Sequence, residues 1–348
     1  MWVKTLSVTL SLMFISNIFV GCKEDNSNNS KPLDELKIGV SVYEKSDIFI
    51  SSIIEHLEKF VKEKELEGKY KITLTVEDSK GKQYNQNEQV DKFVSQDYDV
   101  MCINLVDRRS AAFIIDKGKN ANIPVVFFNR EPVEEDMNIW DKVHYIGAKA
   151  EQSGILQADI VLDAYKSNKK NVDKNNDFIL QYVMLEGEEE HQDALIRTEY
   201  SIKRLEESGV KLEKLGNDIA NWNRDEAAYK MDKWIDEYGD KIEVVFSNND
   251  EMALGAIDAY KDSKYKNDIP VVVGIDGVDE ALKAIEEGSL TGTVLSDAYK
   301  QAKDIFDIAY MQTTLEGTDG EKKILNRKYI REDHTIVTKD DVQLFIER

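Results

Sequence analysis

The sequence predicts an α/β fold in which two doubly wound lobes, each built on a parallel sheet, face each other across a ligand cleft. From Leu36 onward, short β-rich runs alternate with amphipathic helical patterns. That alternation produces parallel sheets whose two faces are both covered by helices. In addition, the segment NIPVV at 122–126 recurs as DIPVV at 268–272, and the two copies lead to Asn129 and Asp276. The repeat indicates two similar halves.

Each element is predicted from its hydrophobic period and from its ends. Strands are continuous apolar runs, whereas helices carry apolar residues at i, i+3 and i+4 and stop at a residue such as Gly68. The predicted strands are 37–43, 71–77, 99–106, 123–129, 144–148, 178–185, 210–215, 243–248 and 269–276. The predicted helices are 49–66, 85–96, 109–120, 151–167, 193–208, 224–238, 251–262 and 279–287.

Length and charge limit the possible partners. The 348 residues are enough for two domains, and 41% hydrophobic residues are enough to build their cores. A net charge of −21 would repel nucleic acid and anionic membrane surfaces. The chain also begins with an apolar leader, where a transcriptional regulator would need a basic helix-turn-helix segment. We therefore expect no nucleic acid partner.

The first residues have the pattern of an export signal. Residues 1–21 contain a lysine followed by an apolar run, as in a signal peptide. Residues 19–22, FVGC, resemble the lipobox of bacterial lipoproteins, which implies lipidation of Cys22; a plain secretory signal is the alternative. Residues 22–35 are polar, as in a flexible tether. We expect a protein lipid-anchored to the outer face of the cell membrane, or periplasmic. The other cysteine, Cys102, is expected to be a small core residue.

Polar side chains recur at the ends of the predicted strands. They are Asp47, Asn104, Asp107, Asn248, Asn249, Asp250 and Asp276. Ligands of doubly wound sheets bind outside the carboxyl ends of the strands. For any one of these residues, an N-cap of the next helix is the alternative explanation. Caps do not account for the aromatic residues that accompany them, Phe49 and Trp222, although Trp222 by itself could be a core or surface residue.

A sugar fits this set of side chains. The paired polar atoms of Asp, Asn and Arg bind hydroxyl groups, and flat aromatic rings contact the C–H faces of a pyranose. Catalysis is the alternative, because paired carboxylates act on glycosides and His191 could be a base. However, the sequence lacks nucleophile-elbow, phosphate-loop, zinc and dinucleotide motifs. We therefore expect a binding protein and not an enzyme.

A second candidate site begins at residue 173. Side-chain oxygens recur at alternate positions in a loop that contains Asp173, Asn175, Asp177 and Gln181. Alternate oxygens in a tight loop suit calcium, and an Asn/Asp-rich turn before a strand is the alternative. A polar cluster of His191, Asp193 and Arg197 follows. The last two are spaced i, i+4, so a helix would place them on one face.

Seven segments, in order from about Leu36 to the C-terminus, carry a family resemblance: KIGVSVYEKSDIF, INLVD, IPVVFFNREP, GEEEHQDALIRT, IEVVFSNNDEMALGAI, VGIDG and GTVLSDA. They closely resemble the galactose/glucose-binding proteins, which are the periplasmic-binding-protein partners of sugar ABC importers. The resemblance implies two Rossmann-like lobes that close over a hexose, with three crossings near Asn129, Ser296 and Asp333. The implied domains are the signal peptide 1–21, the tether 22–35, an N-terminal lobe of 36–129 plus 297–332, and a C-terminal lobe of 130–296 plus 333–348.

The resemblance also implies the site residues. The polar contacts to the sugar would be Asp47, Asn104, His191, Asp193, Arg197, Asn249 and Asp276, with Phe49 and Trp222 on its two faces. Ser296 stands where the family usually has Asn, so a shorter hydroxyl takes that place. A structural calcium ion would be held by side chains of Asp173, Asn175, Asp177, Gln181 and Glu243 and by the carbonyl of Ile179. Phe178 stands at the sixth loop position, where a sharp turn prefers glycine.

The implied function is that of an extracytoplasmic solute-binding lipoprotein that captures D-galactose or D-glucose and delivers it to an ABC importer. The expected partners of this monomer are the sugar and the permease, and a chemoreceptor could use the same surface. The alternatives are a sugar receptor for a sensor kinase, without a transport role, and a glycoside-acting enzyme. Capture would proceed by hinge closure, because contacts from both lobes exist only in the closed form.

Overall fold

The computed structural model describes residues 34–318 and 323–346. The predicted signal peptide, Cys22 and nearly all of the tether lie outside the described residues. The strands are β1 Asp34–Val42, β2 Tyr70–Asp78, β3 Val100–Ile103, β4 Val125–Phe128, β5 Val143–Ala148, β6 Ile179–Glu186, β7 Lys211–Ile219, β8 Val244–Ser247, β9 Val271–Asp276, β10 Gly292–Leu295, β11 Tyr329–Glu332 and β12 Thr335–Thr338. The helices are α1 Ile48–Glu65, α2 Gln83–Ser95, α3 Ala111–Ala121, α4 Glu134–Met137, α5 Ala150–Ser167, α6 Lys169–Val172, α7 Gln192–Glu207, α8 Arg224–Tyr238, α9 Asp250–Asp262, α10 Asp279–Glu287, α11 Ala298–Thr314 and α12 Gln343–Ile346.

Within residues 34–318 and 323–346, the strands form two six-stranded sheets. The first has the order β11-β5-β4-β3-β1-β2 and is parallel throughout. The second has the order β12-β10-β9-β8-β6-β7, and only its edge strand β12 runs antiparallel to its neighbour. The prediction of two doubly wound lobes with parallel sheets is therefore confirmed.

Each sheet is covered on both faces. In the first lobe, α1 and α11 pack on one face and α2 and α3 on the other. In the second lobe, α8, α9 and α10 cover one face, whereas α5 and α7 cover the other. Residues such as Ile53 and Phe246 are fully buried in these cores, and burying a side chain of that size stabilises the fold by about 1.5–3 kcal/mol. The predicted core position of Cys102 agrees with its 1% exposure.

The first crossing between the lobes differs from the prediction. The sequence placed it near Asn129, but β5 pairs with β4, beginning with Val125 opposite Val143, and so remains in the first sheet. The polar segment after Asn129 forms only the short helix α4 before the chain re-enters the core. The chain leaves the first lobe after Ala148, so residues 130–148 belong to that lobe. The polar end of β4 is a site feature and not a domain boundary.

The other two passages between the sheets are short. β10 of the second sheet is followed by Ser296 and Asp297 before α11, which packs on the first lobe. Only Asp333 and His334 separate β11 in the first sheet from β12 in the second. The His334 side chain is buried, and neither ring nitrogen has a hydrogen-bond partner among the described residues.

None of the helices in the described part of the chain combines the length and the apolar character that crossing a bilayer would require.

Close packing of α5 against α7 depends on Gly154. A Cβ atom at this position would lie 2.7 Å from the backbone oxygen of Arg197 and 3.1 Å from the backbone nitrogen of Ser201. Both contacts are backbone atoms of α7, which cannot move aside without moving the helix. Gly154 therefore sets the distance between these helices, and with it the place of Arg197.

We predict that Gly154→Ala lowers the free energy of unfolding by about 1–3 kcal/mol, because it forces two packed helices apart. Urea unfolding followed by circular dichroism would measure the change. Glu151→Ala, an exposed position on the same helix, is the matched control. Equal stability of the two variants would show that the helices are not in close contact here.

Candidate functional site

A narrow cavity lies between the lobes at the carboxyl ends of both sheets. The first lobe contributes the loop from Tyr43 to Phe49, and the second lobe contributes 221–225, Asn249 and Asp276, among others. Its volume is about 200 Å³. Polar groups from several strand ends therefore face one small space, where a doubly wound sheet binds its ligands.

Asp47 follows β1 and has two functions at once. Its Oδ1 accepts a hydrogen bond from the backbone N–H of Ile50 at 3.0 Å, so the residue caps α1. Its Oδ2 accepts a hydrogen bond from the hydroxyl of Tyr43 at 2.5 Å. Two donors thus fix the carboxylate in place, and Asp47 and the buried Phe49 line the same cavity. The cap explanation and the ligand explanation are compatible here.

Trp222 lines this cavity from the second lobe. Its φ of +62° is rare for a bulky residue, and its ring meets the ring of His191 edge-on, with centroids 4.9 Å apart. A Cβ atom at Gly187 would lie 2.1 Å from the indole ring. Gly187 is therefore required for the indole to lie where it does, and the structure brings aromatic residues of both lobes to one cavity.

A second inter-lobe cavity of about 180 Å³ is lined by His191 and Asp193. Nδ1 of His191 accepts a hydrogen bond from the backbone N–H of Asp193 at 3.2 Å and caps α7. Burial, together with the charges of Arg130 and other arginines, lowers the pKa of His191 well below its usual value. The ring is therefore neutral, and because Nδ1 is the acceptor, its one proton lies on Nε2, which is left able to donate a hydrogen bond.

Arg197 is buried beside this cluster. Its Nη1 donates to the backbone oxygen of Asn248 at 2.8 Å, and its Nη2 lies 3.7 Å from Oδ2 of Asp193. Its Nε has no hydrogen-bond partner among the described residues. An unsatisfied buried donor costs about 1–3 kcal/mol, so a ligand acceptor at this point would be favoured.

Asp276 ends β9 in an unusual state. Its φ of +127° lies in a region that side chains rarely adopt, and such strain concentrates at functional sites. The side chain is 8% exposed, and its carboxylate accepts no hydrogen bond in the described part of the chain. Burial raises its pKa well above the usual value; the charge of Arg197 opposes this shift, and Asp250 and Asp47 add to it. Hydroxyl donors from a ligand would satisfy this carboxylate.

The residues after β8 support the turn that follows Asp276. Oδ1 of Asn249 accepts from the backbone N–H of Met252 at 3.0 Å and caps α9, while Asn249 also lines the first cavity. The carboxylate of Asp250 is fully buried and accepts hydrogen bonds from the Gly277 N–H at 2.6 Å, the Val278 N–H at 3.0 Å and the Thr293 hydroxyl at 2.6 Å. Asp250 is therefore a supporting residue below the site.

Asn104 and Ser296 lie behind the lining of both cavities. The amide of Asn104 is fully partnered: Oδ1 accepts from the Tyr43 N–H, and Nδ2 donates to the Phe128 carbonyl and to Oδ1 of Asn129. The hydroxyl of Ser296 accepts from Nε2 of Gln301 at 3.0 Å, and its N–H donates to the Asp276 carbonyl at 3.0 Å. Both residues are buried, and neither is among the residues that line these two cavities.

A family model described as a periplasmic binding protein domain matches residues 38–318. The chain belongs to the periplasmic binding protein family. It is 36% identical over 313 residues to a D-galactose/methyl-galactoside binding periplasmic protein of Haemophilus influenzae, covering 89% of this chain and 92% of that protein. It is 28% identical over 327 residues to a xylitol-binding protein of Mycolicibacterium smegmatis, covering 93% and 82%.

A solved structure shows the same architecture. It is an ABC transporter solute binding protein of Bacillus halodurans with bound myo-inositol, at 26% identity, a TM-score of 0.74, and coverage of 91% of this chain and 99% of that one. The names of all three relatives of this periplasmic binding protein describe binding proteins.

The sequence pattern missed three residues of this periplasmic binding protein that lie at the cleft. Tyr43 holds Asp47, and Arg130 joins the first lobe to Glu188 of the second. Each of the three lies one or two residues after the end of a strand, and position after a strand is also the signal that led to Asp47. The sequence could not show that the segments containing Tyr43, Arg130 and Glu188 meet in the fold.

Hydrogen bonds connect the five residues whose side chains make up the predicted calcium site. Glu243 Oε1 accepts from the Lys174 N–H at 2.7 Å and Oε2 from the Gln181 N–H at 3.0 Å. The two carboxylate oxygens of Asp173 accept from the N–H groups of Asp177 and Phe178. The amides of Asn175 and Gln181 both donate to Oδ2 of Asp177, at 2.9 Å and 3.0 Å. Phe178 has a φ of +64°, which is the sharp turn that favours glycine.

These residues fit calcium in chemistry. The donors are all oxygen atoms, and the carboxylates of Asp173 and Glu243 are each 1% exposed. Burial raises the pKa of Glu243, and the nearby charge of Asp173 adds to this shift, so a cation would offset their repulsion. In the described part of the chain, however, no three His, Cys, Asp or Glu side chains converge as a metal cluster, because the carboxylates face backbone N–H groups. An open depression of about 930 Å³ beside the loop includes Asn175 and Glu243 in its lining.

We predict that Asp276→Asn stabilises the ligand-free protein by about 1–3 kcal/mol at pH 8, because it removes an unpartnered buried charge. A raised pKa in the folded state favours folding below the unfolded pKa near 4, and that benefit is lost as pH rises through the folded value. The advantage of the variant should therefore shrink as the pH is lowered to 5.

Chemical denaturation at both pH values would measure these differences. Asp279→Asn, which changes an exposed carboxylate at the start of α10, is the control. A gain that is absent at pH 8, or that grows on acidification, would contradict the assignment of a buried, raised-pKa carboxyl to Asp276.

Proposed function

We propose that this protein is an extracytoplasmic solute-binding lipoprotein that captures D-galactose or D-glucose and delivers it to an ABC importer. Family membership supports the binding role. The relative from Haemophilus influenzae, whose name states galactose and methyl-galactoside binding, supports the choice of hexose. The ligands in the names of the other two relatives, xylitol and myo-inositol, carry several hydroxyl groups as well.

The single observation that carries the proposal is the buried, unpartnered carboxylate of Asp276 beside aromatic residues of both lobes. A hexose hydroxyl would donate to this carboxylate, and a second hydroxyl would donate to Asp47. Phe49 and Trp222 would contact the C–H faces of the ring. An analogue that lacks the hydroxyl would leave the charge unsatisfied, and sites of that kind discriminate strongly.

The other end of the sugar would contact the cluster on α7. The Nε2–H of the neutral His191 ring would donate to a hydroxyl oxygen, and the free Nε of Arg197 would donate to another oxygen. Asp193 would accept from a neighbouring hydroxyl. Asn249 would contact the sugar from the cavity wall. Asn104 and Ser296, which do not line the two cavities, would support the residues that do. No bond of the sugar is made or broken, since the task of the site is capture and release.

The proposed mechanism is closure of the lobes around the sugar. Asp47 and Phe49 belong to the first lobe, while Trp222, Asn249 and Asp276 belong to the second. A ligand that contacts both sets favours the closed population by its differential affinity. The closed surface then presents both lobes to the permease. A sugar receptor for a sensor kinase remains the second candidate, because the same closure would serve it.

The proposed cellular form is a lipoprotein. Cys22, the proposed lipidation site, lies outside the described residues, and the pattern FVGC supports it. A lipidated chain would remain at the outer face of the cell membrane beside its permease. Metabolic labelling with a palmitate analogue, with Cys22→Ser as the comparison, would test this form.

We expect calorimetric titration with galactose, glucose, ribose, xylose and arabinose to give a dissociation constant in the micromolar range or below, about −8 kcal/mol, for galactose or glucose. Asp276→Ala should abolish this binding, whereas the exposed control Asp279→Ala should retain it. Heat from a pentose alone would contradict the choice of hexose, and unchanged affinity in Asp276→Ala would remove that residue from the site.

We further propose that the loop from Asp173 to Gln181, with Glu243, binds a structural calcium ion. Side-chain oxygens of all five residues and the carbonyl of Ile179 would hold it. The ion would neutralise three carboxylates and stabilise the folded state by mass action.

We predict that a chelator lowers the melting temperature of the wild-type protein by several degrees, about the effect of 1–3 kcal/mol. Glu243→Gln should lower it without chelator, and the chelator should then have little further effect. Glu207→Gln, at an exposed position of α7, should respond to chelator as the wild type does. A wild-type protein that ignores both chelator and added calcium would mean that the loop is only a turn.

A further inference from the structure

One buried arginine connects the two lobes. Arg130, just after β4, is 7% exposed. Its Nη1 and Nη2 donate to the two carboxylate oxygens of Glu188 at 2.9 Å and 2.8 Å, and Glu188 belongs to the second lobe. Nη1 also donates to the Val106 carbonyl at 3.1 Å. A forked, bidentate pair of this kind is among the strong and directional contacts in proteins.

The same guanidinium lies flat on an aromatic ring. Its central carbon is 3.5 Å from the centroid of the Tyr43 ring, which is a close cation–π contact. The Tyr43 hydroxyl in turn donates to Oδ2 of Asp47. Burial and the neighbouring Asp47 carboxylate raise the pKa of Tyr43, so the phenol remains protonated and remains a donor.

The contacts form one continuous series from the second lobe to the first: Glu188, Arg130, Tyr43, Asp47. Glu188 also stands three residues before His191, on the loop that leads to the α7 cluster. When the lobes separate, Arg130 loses Glu188 and keeps only the Val106 carbonyl and the ring of Tyr43. A buried cation without its carboxylate is costly, so closure and the packing of this series depend on each other.

We propose that Arg130 and Tyr43 are positioning residues that couple closure of the lobes to the orientation of the Asp47 carboxylate. The inference rests on the proposed function, because Asp47 is a proposed sugar contact. It adds that Asp47 is held in its binding orientation by a contact series that is complete only when the lobes are closed.

A neighbouring ion pair provides a matched control. Nη2 of Arg109 lies 2.9 Å from Oε2 of Glu190, and this pair also joins the lobes. Its side chains are 65% and 74% exposed, and exposed pairs contribute little. Glu188→Gln and Glu190→Gln therefore make the same chemical change at a buried and at an exposed inter-lobe contact.

The first experiment measures lobe closure without sugar, by small-angle X-ray scattering. Glu188→Gln and Tyr43→Leu should increase the radius of gyration, since each loosens Arg130. Tyr43→Phe, which keeps the ring face, and Glu190→Gln should leave it unchanged. The coupling is overturned if Glu188→Gln and Tyr43→Leu both scatter like the wild type. Because the scattering measurement needs no sugar, it tests the effect of these residues on lobe closure even if neither hexose binds.

The second experiment measures galactose and glucose affinity and dissociation rate. Tyr43→Phe should weaken binding about 10-fold, through faster dissociation, without changing the radius of gyration. Glu188→Gln should also weaken binding about 10-fold. The double variant with Tyr43→Phe and Glu188→Gln should lose clearly less affinity than the product of the two single losses. Fully multiplicative losses would show that Tyr43 and Glu188 act independently, and would refute the coupling. The free energies of unfolding of the wild type, the two single variants and the double variant test the same coupling without sugar. Additive changes in these free energies would also refute the coupling.

Discussion

The buried carboxylate of Asp250 is the interaction on which the second wall of the cleft depends. It accepts hydrogen bonds from Gly277 N–H, Val278 N–H and the Thr293 hydroxyl, and so ties the start of α9 to β10 and to the turn after β9. Burial raises its pKa to about 6, while these three donors favour the charged form. Because the turn is held from below, Asp276 can keep a backbone conformation that its own side chain would not choose. The strain at the cleft is thus supported by hydrogen bonds outside it.

The cleft is prepared for a polar ligand at a cost to the empty protein. No described residue donates a hydrogen bond to the carboxylate of Asp276, which lines the cavity, and Nε of Arg197 has no acceptor there. Polar groups of this kind destabilise the folded state until a ligand satisfies them. In contrast, the carboxylate of Asp47 accepts hydrogen bonds from the Tyr43 hydroxyl and from the first turn of α1. The two walls therefore differ: the first lobe offers an oriented acceptor, and the second offers an unsatisfied one.

Most of the fold could be predicted from the sequence because its strands are continuous apolar runs between well-marked helices. The position of the first crossing could not be predicted. A polar residue such as Asn129 ends a strand in the same way whether the chain then stays in the first lobe or leaves it. The strands after β9 were missed; β3, β4 and β8 are equally short but lie within longer apolar runs. Among the predicted site residues, Asp47 and Asp276 were selected by their position at strand ends, and the structure places both at the cavity between the lobes. Position at a strand end could not identify the role of Arg130, whose partners come from three segments far apart in the chain.

The two-residue connection through Asp333 and His334 has a mechanical consequence. Asp333 forms an exposed ion pair with Lys149, which stands at the first crossing, so the first and third crossings lie side by side. The ring of His334 beside them has no hydrogen bond among the described residues to break during rotation. Burial lowers its pKa to about 3, and the ring therefore stays uncharged at any ordinary pH. The buried part of this connection is therefore uncharged, whereas the exposed pair of Asp333 and Lys149 beside it is the part that salt would screen.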